Sequence, residues 1–346
     1  MTARFVDVAD MSAWIAEVGT LRILADMAEE IEKDFRRWSD FEKSPRLASH
    51  SPCGVIELMP TSDGTTYSFK FVNGHPLNPT LGKQTVTAFG VLADVASGYP
   101  TFVSEMTLVT ALRTAATSAM AARALARPNS TTMAMIGTGS QAEFQALGFQ
   151  ALLGIQRLRA WDIDPGAISK LVKNLAPLGF EIHIATSAAD ACIGADVITT
   201  CTADKNYATV LTDDMVVPGV HVNAIGGDCP GKTELDRRIL ERSRIFVEYT
   251  DQTRIEGEIQ QLPVTHPVTE VWQVLSGVAE GRRLSEDITV FDSVGFAIED
   301  FSALTYVRAA TAAAGRGSLI DLVAEPSDPK DLFCLTSRPH ADSVVA

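Results

Sequence analysis

The chain of 346 residues lacks the cysteine and histidine patterns that mark several classes of protein. Its five cysteines stand singly, with no C-x-x-C pair, which argues against a disulfide framework. No signal-peptide pattern opens the sequence, so we expect reduced thiols in a cytoplasmic protein. The six histidines show no metal-ligand spacing, and we expect no metal. The cysteines are Cys53, Cys192, Cys201, Cys229 and Cys334.

Positive charge and long apolar runs are also scarce. The net charge is −14, and no basic run offsets it, so nucleic acid is not an expected partner. The longest weakly charged stretch, Met106 to Ala122, is rich in Ala and Thr and contains Arg113. We therefore expect no membrane span. The charged fraction of 21% is ordinary, and the length suffices for two domains with hydrophobic cores.

What the chain does contain is a pattern of strand, glycine turn and helix between Thr131 and Phe144. A mostly apolar run leads into Gly137-Thr138-Gly139-Ser140-Gln141-Ala142, and a helix-forming run follows. Gly137 permits a tight turn, Gly139 lets the backbone approach phosphates, and Ala142 allows the helix to pack on the strand. This pattern predicts a dinucleotide-binding loop, and a purely structural glycine turn is the alternative.

The region after residue 130 alternates strands with helical runs, which predicts an α/β fold with a doubly wound parallel sheet of the Rossmann type. The second strand ends in Asp162, where the ribose-binding acid of such folds is expected. A carboxylate there favours NAD over NADP. The predicted strands are Thr131–Gly137, Leu158–Asp162, Glu181–Ala185, Asp196–Cys201, His221–Gly226, Arg244–Tyr249 and Ile288–Asp292.

The first third of the chain has a different, α+β pattern, so we predict a domain boundary near residue 129. Helical spacing covers residues 8–40, and alternating patterns then predict an antiparallel sheet. Two long helices, Ser104–Ala126 and Val294–Ala314, flank the parallel region, and the polar tail is expected to return to the first domain. The predicted antiparallel strands are Val55–Met59, Thr66–Val72, Gln84–Asp94 and Tyr99–Val103.

Three cations occur where a cation needs a partner. Lys70 interrupts an apolar strand, Arg113 is the single charge in a small-residue helix, and Arg46 follows Pro45 in a loop. Because a buried unpaired cation is costly, each must meet a carboxylate of the protein or of a ligand. A solvent-facing position for Lys70 and a structural ion pair for Arg113 are the alternatives. Glu57, in an apolar strand, is the natural partner for a ligand amine, although such a residue often faces solvent.

A second cluster, Asn223 to Lys232, follows an apolar strand at the edge where ligands of such folds bind. Two glycines precede Asp228, and Pro-Gly-Lys follows Cys229, which predicts a constrained loop that holds a carboxylate against a cofactor. A plain glycine-rich turn is the alternative, and Cys229 as a nucleophile is a weaker one because no histidine lies near it. We interpret three further charges, Arg254, Glu256 and Glu258, mainly as surface or interdomain residues.

Several segments, in order and spread over nearly the whole chain, carry a family resemblance. They are GVIELMP (54–60), KFVNGHP (70–76), ALRTAATSAMAA (111–122), IGTGSQAEFQAL (136–147), NAIGGDCPGKTEL (223–235), IEGEIQQLP (255–263) and FDSVGFAIEDF (291–301). Together they resemble the ornithine cyclodeaminase/μ-crystallin family. Thr138 and Ser140 vary the glycine loop without altering its glycine spacing.

The resemblance implies a role for each of two domains, and it implies a reaction. Residues 1–129, with 316–346 returning to them, would bind substrate and form a homodimer, and residues 130–315 would be the NAD-binding Rossmann domain. The implied reaction converts L-ornithine to L-proline and ammonia, with bound NAD⁺ used and regenerated in each turnover.

The resemblance also implies roles for single residues. Arg46, Lys70 and Arg113 match positions that bind the substrate α-carboxylate, Glu57 lies near the side-chain amine, and Val294 lies near the substrate. Asp228 matches the general acid/base. The positions that match cofactor contacts are Thr85, Gly137, Gly139, Ser140, Gln141, Asp162, Thr202, Asn223, Ala224, Ile225, Gly226, Lys232 and Ser293.

Two other functions stay open at this point. One is another activity of the family, an NAD-dependent amino-acid dehydrogenase or ketimine reductase, which would change the cofactor's redox state in net terms. The other is a non-catalytic dinucleotide-binding protein, against which the joint presence of Arg46, Lys70, Arg113 and Asp228 argues. Lysine as a further substrate is also open, because one methylene in a pocket is worth only about 1–3 kcal/mol.

Overall fold

The computed structural model describes residues 2–203 and 208–336. The strands in these residues, in chain order, are β1 (Thr2–Val6), β2 (Leu47–Ser51), β3 (Gly54–Ser62), β4 (Thr66–Gly74), β5 (Ala88–Asp94), β6 (Pro100–Glu105), β7 (Thr132–Ile136), β8 (Arg157–Trp161), β9 (Glu181–Ile184), β10 (Val197–Thr200), β11 (His221–Ala224), β12 (Arg244–Val247), β13 (Thr269–Glu270), β14 (Thr289–Asp292) and β15 (Ser318–Asp321). The α-helices are α1 (Val8–Val18), α2 (Thr20–Arg36), α3 (Thr107–Leu125), α4 (Ala142–Leu153), α5 (Pro165–Leu175), α6 (Ala188–Cys192), α7 (Arg237–Glu241), α8 (Thr250–Glu256), α9 (Val271–Leu275) and α10 (Ala297–Ala313).

The first sheet is mostly antiparallel, with the strand order β15-β1-β6-β5-β4-β3-β2. Its centre is the long pairing of β3, β4 and β5, in which Lys70 lies between Met59 and Gly90. Near the end of the described residues, β15 pairs antiparallel with β1. The alternation pattern does not predict β1, β2 or β15, because four or five residues give too few periods to stand out.

The second sheet is parallel throughout, with the order β13-β12-β14-β11-β10-β7-β8-β9. This order confirms the predicted doubly wound, Rossmann-type fold, and the predicted strands recur with small shifts at their ends. The chain moves outward from β7 in one direction through β8 and β9, then in the other through β10 and β11. The glycine loop follows β7, at the switch point where ligands of such sheets bind.

Two predicted helices are divided or shortened at a glycine, and a third, predicted over Ser104–Ala126, begins only at Thr107 because Ser104 and Glu105 end β6. The helix predicted over residues 8–40 is divided at Gly19, whose φ of 88° breaks the helical path and whose N–H ends α1 by donating to the Ile15 carbonyl. The last helix begins at Ala297 rather than Val294, because Gly295 has a φ of 77° and takes the preceding residues into a loop. Both corrections follow from glycine backbone geometry rather than from the apolar spacing.

Close helix packing joins the two sheets. An added Cβ on Gly148 of α4 would lie 2.8 Å from the Ala115 carbonyl of α3, so the small residues let these backbones approach. Helix α10 packs against α2, α3 and β3 to β5, which carries the residues at its start toward the first sheet. Within the described ranges, no helix is both long and apolar enough to cross a membrane. The division near residue 129 into substrate and cofactor units stays a prediction.

Candidate active site

The loops that follow β7, β10, β11 and β14 meet at the carboxyl edge of the parallel sheet, because these strands are adjacent. In the loop after β7, Gly137 has a φ of 95°, and a Cβ there would lie 2.7 Å from the Cys201 carbonyl oxygen. A Cβ on Gly139 would instead meet open space. Helix α4 begins just beyond and has no side-chain cap, so its first N–H groups are suited to an anion.

The remaining residues near this loop offer hydrogen-bonding groups that suit hydroxyl groups rather than an anion. Ser140 is exposed and Gln141 is half-buried at the N-cap position of α4. Within the described residues, the buried Oε1 of Gln141 has no hydrogen-bond partner. Asp162, at the end of β8, accepts hydrogen bonds from the Thr138 N–H at 2.6 Å and the Thr138 hydroxyl at 3.0 Å. Asp162, the predicted ribose-binding acid, therefore also stabilises the glycine loop through its bonds to Thr138.

The predicted cofactor residues of β11 are more deeply buried than the sequence pattern indicates. The Asn223 amide group donates to Gln145 Oε1 at 3.1 Å and to Thr199 Oγ1 at 3.2 Å, inside the sheet–helix layer. Ala224 is fully buried, and the half-buried Ile225 donates its N–H to the Thr200 carbonyl. The Asn223 amide group is therefore engaged by protein partners rather than left free for a ligand.

Lys232 joins two of the loops. Its Nζ, on a buried side chain, donates to the Thr202 carbonyl at 2.9 Å and to Asp228 Oδ1 at 3.4 Å. The Asp228 side chain is 57% exposed, which leaves its second oxygen accessible to a ligand. A Cβ on Gly226 would overlap the Glu234 carboxylate, which accepts from the Thr202 N–H, so a larger residue there would displace this carboxylate. The hydrogen bonds of Lys232 thus restrain the Asp228 loop, in addition to the glycines identified in the sequence.

Arg46 occupies the centre of the second group of predicted residues. Its Nη1 donates to Glu57 Oε2 at 3.0 Å, and its Nε lies 3.0 Å from Glu256 Oε2. Its Nη2 donates to the Val294 and Gly295 carbonyls at 2.5 and 2.8 Å. Glu57 is buried, so its solvent-facing alternative is wrong. Val294 joins the site through its backbone carbonyl.

Lys70 and Arg113 lie beside Arg46 and share a carboxylate. Lys70 Nζ donates to Asp300 Oδ1 at 2.8 Å, and Arg113 Nε lies 3.0 Å from the same oxygen. Arg113 Nη1 also donates to Glu299 Oε2 at 2.7 Å. Lys70 is 1% exposed, so the solvent-facing alternative is wrong, while the ion-pair alternative for Arg113 describes what the structure shows. Burial and the neighbouring Arg113 lower the pKa of Lys70 to about 8.

Buried carboxylates surround these cations, and the sequence pattern misses most of them. Glu256 and Glu258 are buried and Arg254 is half-buried, so a surface position is wrong for the two acids, while the interdomain alternative stays a prediction. Burial raises the pKa of Glu256 to about 7 against the attraction of Arg46, and the nearby Glu57 and Asp228 add to the rise. Glu248, also buried, accepts from the Ser293 hydroxyl at 2.5 Å and from the Gly295 N–H at 3.1 Å. Only the apolar context of these acids could have signalled their burial.

The two groups of residues meet at the loop after β14, because the Val294 and Gly295 carbonyls of that loop accept hydrogen bonds from Arg46. Thr85 is separate from the parallel sheet. It lies before β5, where its carbonyl accepts the His75 N–H at 2.8 Å. In the part of the chain that the structure describes, no group of three or more His, Cys, Asp and Glu residues could hold a metal ion. The arrangement can hold a carboxylate and one or two amines beside a dinucleotide.

Known proteins are similar to this chain in sequence and in fold. A family model described as the ornithine cyclodeaminase/mu-crystallin family matches residues 8–315. A protein of Agrobacterium fabrum named ornithine cyclodeaminase is 59% identical over 337 residues, which cover 97% of this chain and 95% of that protein.

Two solved structures extend the likeness to the fold. A lysine cyclodeaminase, whose structure concerns recognition of L-lysine, L-ornithine and L-2,4-diaminobutyric acid, has a TM-score of 0.90 and 31% identity, covering 97% of this chain and 100% of its own. An archaeal alanine dehydrogenase dimer with bound NAD has a TM-score of 0.85 and 30% identity, covering 93% and 100%. The chain belongs to the ornithine cyclodeaminase/mu-crystallin family.

Proposed function

We propose that the chain converts L-ornithine to L-proline and ammonia, with NAD⁺ used and regenerated in each turnover. The observation that carries this proposal is the meeting of Arg46 and Arg113, with their partners Glu57 and Lys70, at the loop after β14, on the carboxyl edge of the parallel sheet. Such a site suits a substrate that has one carboxylate and two amines. The high identity to a protein named ornithine cyclodeaminase supports the same reaction.

The residues after β7 and β8 fit a dinucleotide. The open space at Gly139, the uncapped start of α4 and the unpartnered Gln141 Oε1 would meet the pyrophosphate and its ribose. Asp162 would accept a ribose hydroxyl with its remaining lone pairs. The chemistry that NAD⁺ supplies when bound is removal of a hydride from the substrate and its return, so the overall reaction is redox-neutral.

The cations are proposed to bind the α-carboxylate and so place Cα beside the cofactor. Arg113 and Lys70 lie on α3 and β4, two rigid elements, which favours a fixed position for this group. Glu57, on β3, is proposed to hold the distal amine. A distal amine held there can close a five-membered ring onto Cα once Cα has become electrophilic.

Asp228 is proposed as the general acid/base. Its exposed carboxylate can take the proton that makes the α-amine neutral, and it can return a proton to the departing ammonia. Lys232, 3.4 Å away, holds this carboxylate in place. Net bond changes are loss of the Cα–Nα bond and formation of the Cα–Nδ bond, which yields proline and ammonia.

We also propose that the chain is a cytoplasmic homodimer, with residues 1–129, and 316–346 returning to them, as the substrate-binding and dimerisation unit. Of these, residues 337–346 lie outside the part of the chain that the structure describes. In support, one face of the first sheet exposes the large apolar side chains Ile56, Leu58, Tyr67 and Phe89. An exposed patch of this kind is typical of an interface. Proline formation would place the enzyme in ornithine breakdown and proline synthesis.

Product analysis tests the reaction. With L-ornithine and catalytic NAD⁺, we expect proline and ammonia in equal amounts and no accumulation of NADH. Ornithine labelled with ²H at Cα and ¹⁵N at the α-amine should give proline that keeps the deuterium and has lost the ¹⁵N. Steady NADH production would favour an amino-acid dehydrogenase instead. Proline that retains the α-¹⁵N would refute the mechanism.

A further inference from the structure

Asp300 is a buried carboxylate of the site to which the proposed reaction gives no role. It lies in the first turn of α10 and is 1% exposed. Its Oδ1 accepts from Lys70 Nζ at 2.8 Å and lies 3.0 Å from Arg113 Nε. Its Oδ2 is buried and has no hydrogen-bond partner among the described residues. One oxygen atom is therefore shared by two cations that come from different elements, β4 and α3.

We propose that Asp300 is a positioning residue, which holds Lys70 and Arg113 together so that both can bind one substrate carboxylate. The inference rests on the proposed function, in which these two cations bind the α-carboxylate. Two adjacent buried cations repel each other, and a shared anion between them offsets that repulsion. Glu299 does not replace Asp300, since its ion pair is with Arg113, at 2.7 Å.

Helix α10 is held in place by contacts other than those of Asp300. The Ser302 hydroxyl donates to Asp34 on α2 at 2.6 Å, and the buried Phe301 packs edge-to-face on Phe41. Ahead of the helix, Gln252 donates to the Gly295 carbonyl at 2.8 Å. Replacing Asp300 by asparagine, which has the same shape, should therefore leave α10 in position and remove only the negative charge.

The charge of Asp300 also favours the protonated form of Lys70. Burial and Arg113 lower the pKa of Lys70 to about 8, and Asp300 opposes that fall. The other charged groups near Lys70 are Glu299 on α10 and Arg46 in the loop before β2. Without the Asp300 charge, Lys70 should lose its proton at a lower pH, and a neutral Lys70 binds a carboxylate poorly.

The Asp300→Asn variant tests the inference in the full-length enzyme. We expect KM for ornithine to rise about tenfold or more, with kcat and NAD affinity changed much less, because ground-state carboxylate binding is lost. We also expect the alkaline limb of the pH profile of kcat/KM to move to lower pH. A residue that only supports the fold would lower the melting temperature without moving this limb. Unchanged KM and an unchanged limb would overturn the inference.

Glu299→Gln is the matched control, because Glu299 is also buried in α10 but pairs with Arg113 alone. It should raise KM while moving the alkaline limb less than Asp300→Asn does, and an equal movement of the limb in both variants would contradict a special role for Asp300. Lys70→Arg covers the case in which Asp300→Asn does not fold. Arginine keeps its charge at high pH, so the alkaline limb of the kcat/KM profile, which we attribute to loss of the Lys70 proton, should disappear. An alkaline limb that persists unchanged would overturn the inference.

A direct titration separates this inference from the proposed function. NMR of enzyme with ¹³C-labelled lysine follows the Lys70 side chain without substrate, in wild type and in both acid variants. The titration of Lys70 should move to lower pH in Asp300→Asn and move less in Glu299→Gln. If wild type fails to convert ornithine, the proposed function fails, while this titration still decides whether Asp300 controls Lys70.

Discussion

The cofactor half and the cation half of the site differ in how the chain builds them. The cofactor half is local, since the glycine loop and the start of α4 are consecutive residues and Asp162 ends the next strand. The cation half joins residues from distant segments, as the pairs Arg46–Glu256 and Lys70–Asp300 show. A local loop has its geometry set by its own sequence, whereas a charge cluster depends on the whole fold. Changes in the two halves should therefore have separable effects.

The largest effect is expected from removing one cation of the cation half, Arg113, and it should appear in the turnover of ornithine. Arg113→Ala removes charge-assisted bonds worth about 1.5–3 kcal/mol each, so we expect kcat/KM for ornithine to fall roughly 100-fold or more. NAD affinity should stay close to that of wild type, as measured by nucleotide titration. Arg123→Ala is the control, because Arg123 is a half-exposed residue of the same helix that pairs with Glu32. Wild-type kinetics in a folded Arg113→Ala protein would make Arg113 structural.

A smaller effect is expected from a substitution in the cofactor half, Asp162→Asn, which leaves the cation half unchanged. Wild type should prefer NAD strongly over NADP, because the Asp162 carboxylate repels a 2′-phosphate. Asp162→Asn should weaken NAD binding by about tenfold and narrow that preference, since it loses the charge and disturbs the bond to the Thr138 N–H.

The matched control for this change is Asp164→Asn. Asp164 caps α5, and asparagine caps a helix equally well, so we expect no change in nucleotide affinity. Equal affinity of wild type for NAD and NADP would contradict the role assigned to Asp162. Ornithine KM at saturating NAD should change little in either variant, which keeps the two halves distinct.

The smallest effect is expected on the pH dependence of the free energy of unfolding. It concerns Glu256, a carboxylate of the cation half that lies beside Arg46. Burial raises the pKa of Glu256 from an ordinary 4.5 to about 7, so the folded state holds this proton more tightly than the unfolded state. The resulting stability is present below about pH 4.5 and is lost as pH rises toward 7. Glu256→Gln should therefore flatten the fall in unfolding free energy over this range.

Denaturant unfolding at several pH values measures this slope. The control is Glu280→Gln, because the Glu280 side chain is 72% exposed and pairs only at the surface with Arg283. Its slope should match that of wild type. A Glu256→Gln protein with the wild-type slope would show that Glu256 keeps its negative charge throughout, held by Arg46.

The sequence alone was enough for the parallel sheet and the glycine loop, because apolar strands and a strand–glycine–helix junction are local patterns. It also identified Lys70 and Arg113 as anomalies, since a cation in an apolar run needs a partner. It could not supply the partners. Asp300 and Glu299 lie far along the chain, in a helix whose acids resemble an ordinary first turn, and only the packing of α10 on β4 and α3 brings them together.

Glu256 was misjudged for a related reason. Alternating charged and apolar residues at the end of α8 resemble a solvated face, yet the side chain turns inward to Arg46. The alternation pattern does not predict β1 and β15, because pairing with strands that are distant in sequence stabilises them. Strand β2 pairs with its neighbour β3, and its five residues are too few for alternation to stand out. For Glu256, β1 and β15, the deciding interaction joins residues that are remote in sequence.

The hydrogen bonds of Arg46 link substrate binding to the relative position of the two sheets. A guanidinium has five N–H donors, and here three hydrogen bonds run from Arg46 to Glu57 and to the carbonyls of Val294 and Gly295. Glu57 lies on β3 of the first sheet and the two carbonyls follow β14 of the second sheet, so Arg46 links the two sheets. A carboxylate that competes for this guanidinium must weaken these bonds or use an N–H that they leave free. By thermodynamic reciprocity, whatever separates the sheets alters substrate affinity, and substrate alters the separation of the sheets by the same free energy.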